Sequence, residues 1–293
     1  MHDSHPDDSR DGGGTTPRKV EVERRMEQAP RAASGTAADK ALRERLSRWF
    51  DSPLGRSLQA YESHRLREVL PSLYGTVALQ LGRIGQLDML DASTVPTRAL
   101  LDLVSGPNGL SVVHGRPEEI PFDTKSTDVV LMPHTLDFCD DPHQVLREVS
   151  RVLRPEGHVV VLGFNPVSPW GFRRLLARRP RPAPWCGRFL PLSRIKDWFL
   201  LLDFEVTHGQ MLYYRPPLMS ESAMERLHFM DKMGDRWWPM MAAVYMVVAK
   251  KRVLGVTPIP LAWKDKKIAG RVTAEPAARG MVLPFQRRAK KLG

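Results

Sequence analysis

Two ionisable residues, His134 and Asp137, stand in a short polar stretch directly after an apolar run of the sequence. The apolar run, Asp128–Met132, is typical of a buried strand. In an open α/β sheet, ligands bind beyond the carboxyl ends of the strands, so a loop at this place faces the bound molecules. An imidazole and a carboxylate there have the chemistry of a general acid or base. The alternative is structural: His134 hydrogen-bonds the loop backbone and Asp137 caps a turn.

The elements around this loop form a strand–helix–strand unit. Asp141, Pro142 and Gln144 predict a helix start with a capping box. The apolar residues that follow fall on one helical face, and they are Val145, Leu146, Val149, Val152 and Leu153. The segment 155–157 predicts a turn into a second apolar strand, 159–162. Such a unit implies parallel strands joined by a right-handed crossover.

This unit resembles the class I S-adenosylmethionine-dependent methyltransferases of the small-molecule type. In that family an acidic-apolar-Pro-Phe box precedes the fourth strand, and a helix ending in E-x-x-R-V-L-R-P-G-G leads into the fifth. Here the box is Glu119–Phe122 and the helix end is Glu148–Gly157. The resemblance is strong over residues 76–165 and thinner to residue 250. It implies S-adenosylmethionine as the cofactor and methyl transfer as the activity.

The loop after the first strand departs from the glycine-rich pattern of the family. The family has an acidic residue, an apolar residue and then Gly-x-Gly-x-Gly, whereas this chain has Gln80, Leu81, Gly82 and then Ile84 and Gly85. Glycines at such a loop let backbone N–H groups approach a ligand without a Cβ in the way. We assign Gln80, Gly82 and Gly85 to the cofactor by resemblance.

Further cofactor positions implied by the resemblance are Asp102, Arg116, Pro117 and His134. Asp102 is the candidate for the ribose hydroxyls, although a solvent-facing strand residue is an equal interpretation. Arg116 and Pro117 stand where the family has an acidic adenine contact, and His134 is expected near the methyl donor. A lost charge-assisted hydrogen bond is worth about 1.5–3 kcal/mol, so two such losses weaken binding about a hundredfold or more.

The alternation of apolar strands and helices predicts an α/β fold. Before the central unit, strands are expected at Thr76–Leu81, Arg98–Val104 and Leu110–His114. After it, strands are expected at Asp203–His208 and Ala242–Ala249. The resemblance implies a Rossmann-like, doubly wound seven-stranded sheet in the order 3-2-1-4-5-7-6, with the last strand antiparallel.

Three segments between the strands carry their own predictions. Arg45–Leu73 is expected to form two helices within an N-terminal helical cap, residues 41–75. Gln86–Val95 is expected to be a short helix that ends before Pro96. Residues 211–240 form an insertion rich in Met, Trp and Tyr, which either roofs the acceptor pocket or forms a satellite core.

The charge of the chain is concentrated at its C-terminal end. The net charge is +11, and residues 250–293 hold twelve Lys and Arg against two acidic residues. Residues 251–293 are expected to be a mostly disordered basic tail, able to contact nucleic acid nonspecifically, and residues 1–40 a disordered polar tail. The domain proper is predicted at residues 41–250.

Two cysteines, Cys139 and Cys186, lie far apart and in no metal-binding spacing. This pattern fits a reducing compartment, and Cys139 is expected to be a buried small residue rather than a nucleophile. No signal peptide is visible, and no apolar run approaches the about 18 residues of a membrane span. The sequence therefore predicts a soluble, cytoplasmic protein without a bound metal.

Two functions follow as hypotheses. In the first, the chain transfers a methyl group from S-adenosylmethionine to a small-molecule acceptor, with His134 or Asp137 as the acceptor's base. In the second, the same fold is catalytically silent and serves as an interaction or regulatory protein, with the basic tail holding RNA or a protein partner. A nicotinamide-dependent oxidoreductase is disfavoured because the G-x-G-x-x-G fingerprint is missing.

Overall fold

The computed structural model describes residues 37–85, 87–103, 111–177, 181–218, 226–227 and 229–253. Its strands are β1 Val77–Leu81, β2 Thr97–Asp102, β3 Ser111–His114, β4 Thr127–Pro133, β5 Leu153–Phe164, β6 Phe204–Leu212 and β7 Val244–Lys251. Its α-helices are α1 Ala37–Phe50, α2 Pro53–Val69, α3 Thr135–Phe138, α4 Pro142–Val152, α5 Pro169–Leu176, α6 Leu192–Leu201 and α7 Phe229–Trp237. Short 3₁₀ turns cover Leu70–Ser72 and Pro239–Met241.

The seven strands form one sheet in the order β3-β2-β1-β4-β5-β7-β6. The pairs from β3 to β5 are parallel, and β7 is antiparallel to both β5 and β6. The predicted order and the antiparallel last strand are confirmed. The carboxyl ends of β1, β2 and β4 therefore meet at one edge of the sheet, where ligands bind in such folds.

Helices cover both faces of the sheet, each with its own apolar layer. On one face, α1 and α2 pack Phe50, Leu54 and Leu58 against the sheet. On the other face, α4 and α6 bury Val149 and Phe199. The central strands are apolar on both sides for this reason, which explains why their sequence is a continuous apolar run.

The two helices predicted within Arg45–Leu73 are confirmed, with a break between Phe50 and Pro53. Ser52 caps the second helix by accepting a hydrogen bond from the backbone N–H of Gly55. The first helix begins earlier than expected, at Ala37, so the predicted tail boundary at residue 40 is wrong. The other tail residues, 1–36 and 254–293, lie outside the described part of the chain.

One of the two hydrogen-bonding partners predicted for the cap of α4 is present, and the other is not. Asp141 accepts hydrogen bonds from the backbone N–H groups of His143 and Gln144. The Gln144 side chain does not complete a capping box, because its amide donates instead to the carbonyl of Glu118. Gln144 therefore holds the segment before β4 against α4.

The turn predicted at residues 155–157 lies within the bounds of β5, as an irregularity of that strand. Strand β5 already begins at Leu153, and the pairing register with β4 shifts between Thr127 and Val129. Glu156 takes a positive φ of 68°, which absorbs the irregularity inside the strand. Residues 154–157 have no register partner on β4 or β7, because Leu153 pairs with Thr127 and the pairing resumes at His158.

The helix predicted at Gln86–Val95 is also wrong, since the described residues of this crossover form turns. The backbone N–H of Leu90 bonds the Asp88 carboxylate, and that of Val95 bonds the Ser93 hydroxyl. Asp and Ser side chains compete in this way with helical hydrogen bonds. The crossover from β1 to β2 is therefore compact and leaves the end of β1 uncovered by a helix of its own.

No helix in the described part of the chain is long and apolar enough to cross a bilayer.

Candidate active site

The carboxyl ends of β1 and β4 are tied together at the point where the sequence predicts ligand chemistry. The hydroxyl of Thr135 donates to the carbonyl of Leu81, and the backbone N–H of His134 donates to the carbonyl of Leu162. His134 itself takes a left-handed φ of 53° directly after β4. This conformation is uncommon for a residue with a side chain and marks a tightly constrained turn.

His134 lies between two carboxylates in the interior of the protein. Its Nε2 is 2.8 Å from Oε1 of Glu62 on α2, and its Nδ1 is 3.2 Å from Oδ2 of Asp137. His134 and Glu62 are fully buried, and Asp137 is 2% exposed. Asp137 also accepts a hydrogen bond from the backbone N–H of Phe164, so the cluster joins α2, β4 and β5.

The two carboxylates set the protonation of the imidazole. Burial alone lowers the pKa of His134, but the charges and hydrogen bonds of Glu62 and Asp137 outweigh it and raise this pKa to about 9. His134 is therefore an imidazolium at neutral pH, held in place by two acceptors. An imidazolium has no lone pair to act as a base, so the geometry favours a positioning role for this residue.

The described residues show the predicted glycine turn at the end of β1. Gly82 has a φ of 77°, and its N–H donates to the carbonyl of Leu101 on β2. The Gln80 side chain donates to the carbonyl of Gly82, while its Oε1 is buried without a hydrogen-bond partner. A buried acceptor of this kind points to a donor supplied by a ligand.

Ile84, which stands where the family pattern has its second glycine, points away from the turn. Its side chain is 2% exposed and belongs to the apolar layer under α2. Its carbonyl accepts a hydrogen bond of 2.6 Å from the Gln59 amide. Gln59 also covers Gly85, whose φ of 58° and close neighbour leave no space for a Cβ.

Asp102 ends β2 beside the glycine turn. Its carboxylate accepts hydrogen bonds of 2.6 Å from the backbone N–H groups of Arg83 and Leu103. It lines a cavity of about 290 Å³ together with residues of α1. That volume is close to the about 300 Å³ at which small-molecule sites begin.

Arg43 on α1 is a functional candidate that the sequence reasoning missed. It lines the cavity beside Asp102, and its Nη1 lies 2.8 Å from the position that a Cβ on Gly82 would take. The guanidinium therefore lies directly against the glycine turn. The available signal was its place within the predicted N-terminal cap, residues 41–75, but no local pattern connects residue 43 with residue 82.

Glu62 and Gln59 were missed as well, although they left a signal. Leu58, Glu62 and Leu66 are spaced as core positions of one helical face. An acidic residue at a core position requires a buried partner. His134 is that partner here.

Arg116 and Pro117 lie at a second, smaller cavity of about 40 Å³. Arg116 forms an ion pair of 2.9 Å with Asp140 on the surface and lies 3.6 Å from Glu118. It does not line the cavity of about 290 Å³ beside Asp102. Neither Arg116 nor Ile84 blocks that cavity.

Asn165, after β5, and Cys139, after α3, have surroundings that suit a structural role. The Asn165 amide donates to the carbonyls of Met240 and Ala242 and joins two loops. Burial raises the pKa of the Cys139 thiol to about 12, so at neutral pH it is a protonated, unreactive thiol.

The insertion predicted at residues 211–240 is described in part, since 219–225 and 228 lie outside the described residues. Met211, Tyr214 and Asp231 line a groove of about 610 Å³ against α2. Several large apolar residues farther along the insertion are exposed instead, and they are Phe229, Met233, Trp237, Trp238 and Met240. Whether the insertion contacts an acceptor stays a prediction.

Comparison with known proteins decides the family. Residues 73–161 match the family described as "Methyltransferase domain". The chain is 30% identical over 220 residues to the uncharacterized protein YafS of Escherichia coli, covering 75% of this chain and 86% of that protein. It is 32% identical over 105 residues to the demethylmenaquinone methyltransferase of Bacillus subtilis, covering 34% of this chain and 44% of that enzyme. The chain belongs to the class I S-adenosylmethionine-dependent methyltransferase superfamily.

A solved structure of this superfamily shares the fold. It is a methyltransferase of Thermotoga maritima, described as a possible histamine N-methyltransferase, with a TM-score of 0.50 and 20% identity. The match covers 70% of this chain and 93% of that one. The cofactor of the superfamily is S-adenosylmethionine, as the sequence predicts.

The residues in the cavity beside Asp102 and next to it fit this cofactor. Asp102 offers a carboxylate, Gln80 a buried acceptor without a partner, and Gly82 a turn without a Cβ. Arg43 occupies the space above Gly82 with the flexible end of its side chain. The described residues contain no group of His, Cys, Asp and Glu side chains that could hold a metal ion.

Proposed function

We propose that this methyltransferase transfers a methyl group from S-adenosylmethionine to a small-molecule acceptor. The observation that carries the proposal is the cavity of about 290 Å³ lined by Arg43, Arg83 and Asp102 at the carboxyl edge of the sheet. This edge is where the strand order reverses between β1 and β4, the place at which open α/β sheets bind ligands. The sulfonium of the cofactor supplies the reactive methyl group when it is bound.

Residues in the cavity and next to it are each assigned a part of the cofactor by their chemistry. The Asp102 carboxylate suits the two ribose hydroxyls, and the unpartnered Oε1 of Gln80 suits the ammonium group. The Arg43 guanidinium suits the carboxylate of the methionine moiety. On binding, this carboxylate would take the place of Gly82 as the neighbour of the guanidinium. Arg116 and Pro117 are assigned to the adenine side, and Gly82 and Gly85 give the backbone its close approach.

His134 and Asp137 are assigned to positioning rather than to proton transfer. Both are buried, and Glu62 already occupies the Nε2 side of the imidazole. The cluster holds α2 over the end of β4, and α2 in turn carries Gln59, which covers Gly85. A role as the acceptor's base would require α2 to leave this place.

The experiment incubates the full-length protein with methyl-labelled S-adenosylmethionine and a small-molecule extract of cells. We expect label in compounds that pass a size-exclusion filter, and no such label with the Asp102→Ala variant. Label retained with protein or RNA would remove the small-molecule acceptor, and no label above the variant's background would remove the transferase.

One observation favours the second candidate, a catalytically silent protein of the same fold. Side chains from α1 and α2, Arg43 and Gln59, rest on Gly82 and Gly85, where the cofactor is expected. If these contacts are permanent, the turn binds the chain's own helices instead of a ligand. In that case neither S-adenosylmethionine nor S-adenosylhomocysteine produces heat in a calorimetric titration.

A further inference from the structure

A row of exposed apolar side chains lies on α5, beyond the end of β5. Phe172, Leu175 and Leu176 are 62%, 69% and 68% exposed. Their spacing places them on one helical face. The buried Trp170 anchors the opposite side of the helix, where its Nε1 donates to the carbonyl of Arg215. Helix α5 therefore presents a row of large apolar side chains to the outside while one side is fixed in the core.

Helix α7 presents a second row of this kind. Phe229, Met233 and Trp237 recur every four residues and are all exposed. Gly234, on the other side of the helix, packs on the Tyr214 ring. Trp238, directly after Trp237, is 55% exposed. Exposed tryptophans and phenylalanines in such rows are unusual on a soluble surface and mark an interaction site.

Asn165 joins the two rows. Its amide donates to Met240, just beyond α7, and its side-chain carbonyl accepts from the backbone N–H of Val167, just before α5. Val167 and Met240 are both exposed, at 62% and 67%. We name the exposed residues of these two segments the apolar face, and they are Val167, Phe172, Leu175, Leu176, Phe229, Met233, Trp237, Trp238 and Met240.

The charge around α5 identifies the partner. Between Glu156 and Asp197 the sequence has eight Lys and Arg residues and no acidic residue. Arg173 and Arg174 belong to α5 itself, and Arg173 is exposed beside the apolar row. Its Nη1 donates to the carbonyl of Pro217 and its guanidinium lies over the Trp185 ring, and a guanidinium has five N–H donors in all, so a phosphate can still be bound. Basic residues that flank exposed aromatic and aliphatic side chains are the composition of helices that lie in the headgroup region of a membrane. Each basic residue near an anionic bilayer adds about 1 kcal/mol of attraction.

We propose that the apolar face docks this protein on the surface of an anionic lipid bilayer. The apolar side chains enter the boundary between headgroups and acyl chains, and the arginines contact the lipid phosphates. Helix α5 begins five residues after β5, and its Trp170 stacks on Phe164, which in turn stacks on the ring of His134. The docked face therefore lies next to the carboxyl edge of the sheet.

The experiment measures co-sedimentation of the full-length protein with vesicles of phosphatidylglycerol and phosphatidylcholine in equal parts, and with vesicles of phosphatidylcholine alone. We expect binding to the anionic vesicles, weakened by salt, and little binding to the neutral ones. The variant with Phe172→Ser, Leu175→Ser and Leu176→Ser is expected to bind about tenfold more weakly. Leu200→Ser with Leu201→Ser is the matched control, since both leucines are exposed on α6 between Asp197 and Asp203, and it is expected to bind as the unmodified protein does.

A second measurement separates the apolar face from the basic C-terminal segment. Brominated phospholipids quench tryptophans that enter the bilayer, and we expect the quenched component to disappear in the variant with Trp237→Phe and Trp238→Phe. Binding that is equal in the triple variant and the unmodified protein, or quenching that survives the tryptophan changes, overturns the proposal. A stable dimer that fails to bind vesicles also overturns it, because the face then belongs to a second copy of the chain.

Discussion

Two aspartates, one at the carboxyl ends of the parallel strands and one at their amino ends, accept similar hydrogen bonds but lie in different surroundings. Asp128, at the start of β4, accepts hydrogen bonds from two backbone N–H groups at the start of β1 and pairs with Arg154 at 2.8 Å. Asp102, at the end of β2, accepts hydrogen bonds from the backbone N–H groups of Arg83 and Leu103 and lines the cavity of about 290 Å³. The first carboxylate ties β4 to the start of β1, and the second is the one that we propose to meet a ligand at the carboxyl edge.

The same contrast separates the two halves of the family motif. Glu148 accepts from the backbone N–H of Ile120, and Arg151 donates to the carbonyls of Ile120 and Phe122. These are the residues that carry the strongest resemblance, and their contacts fix the segment before β4. The half that resembles the family most closely is therefore structural, whereas the half that departs from it holds the expected ligand contacts.

The largest expected effect separates the two aspartates. Asp102→Ala removes the acceptor that we propose for the ribose hydroxyls, and two charge-assisted hydrogen bonds are together worth about 3 kcal/mol or more. We expect the Kd for S-adenosylhomocysteine, measured by calorimetry, to rise by more than about a hundredfold. Asp128→Ala is the matched control: its melting temperature is expected to fall while its Kd stays within about threefold of the unmodified protein. Equal Kd values for the two variants contradict the assignment.

The second effect is a loss of stability in alkaline solution. The pKa of His134 is raised from 6.5 to about 9, so the stabilisation is full below pH 6.5 and is lost as the pH rises through about 9. Between pH 6.5 and 8.5 we expect a decrease of about 2 kcal/mol in the free energy of unfolding from this residue. Denaturant unfolding at the two pH values measures it.

Glu62→Gln tests the cause of that pH dependence, because it removes one of the two carboxylates that hold the proton. The difference between the two pH values is expected to shrink in this variant. His64→Gln changes an exposed histidine of the same helix and should leave the difference intact. A pH dependence that Glu62→Gln does not alter would place its origin elsewhere.

A smaller effect is expected for Arg43. If its guanidinium binds the carboxylate of the cofactor, Arg43→Ala raises the Kd for S-adenosylhomocysteine about tenfold or more. Arg45→Ala, at an exposed position of the same helix, serves as the control and is expected to change little. Tighter binding by Arg43→Ala would show that this arginine obstructs the site instead.

The smallest effect is expected for Cys139. Its thiol has a pKa of about 12 because it is buried, so it is neither a nucleophile nor a ready target of thiol reagents at neutral pH. Cys139→Ala is expected to change the Kd for S-adenosylhomocysteine by less than about threefold. Rapid labelling of Cys139 in the folded protein, followed by mass spectrometry, would speak against this.

Most of the sheet could be predicted from sequence because its signals are local or carried by a family motif. The apolar runs and the Asp141 cap gave β4, α4 and part of β5, and the resemblance implied the strand order. The crossover after β1 could not be predicted in this way. Single hydrogen bonds, which the Asp88 and Ser93 side chains accept from the backbone N–H groups of Leu90 and Val95, favour turns over a helix there.

The candidate site was predictable only on its strand side. Gly82 and Gly85 follow β1, whose end the sequence locates, and Asp102 lies within the predicted second strand. The helix side depends on contacts between distant positions: Glu62 and His134 are 72 residues apart, and Gln59 and Ile84 are 25 apart. Such pairs have no signature in a single sequence, except that an acidic residue at a core position requires a partner.

The central claim is that the turn at Gly82, beside Asp102, binds S-adenosylmethionine despite its altered glycine pattern. Calorimetric titration of the full-length protein with S-adenosylmethionine and with S-adenosylhomocysteine tests it most directly. We predict one site per chain for either ligand, with a dissociation constant in the micromolar range and no competition from nicotinamide dinucleotides. The absence of heat for both ligands at millimolar concentration, in a protein that melts cooperatively, would contradict the account and leave only the fold.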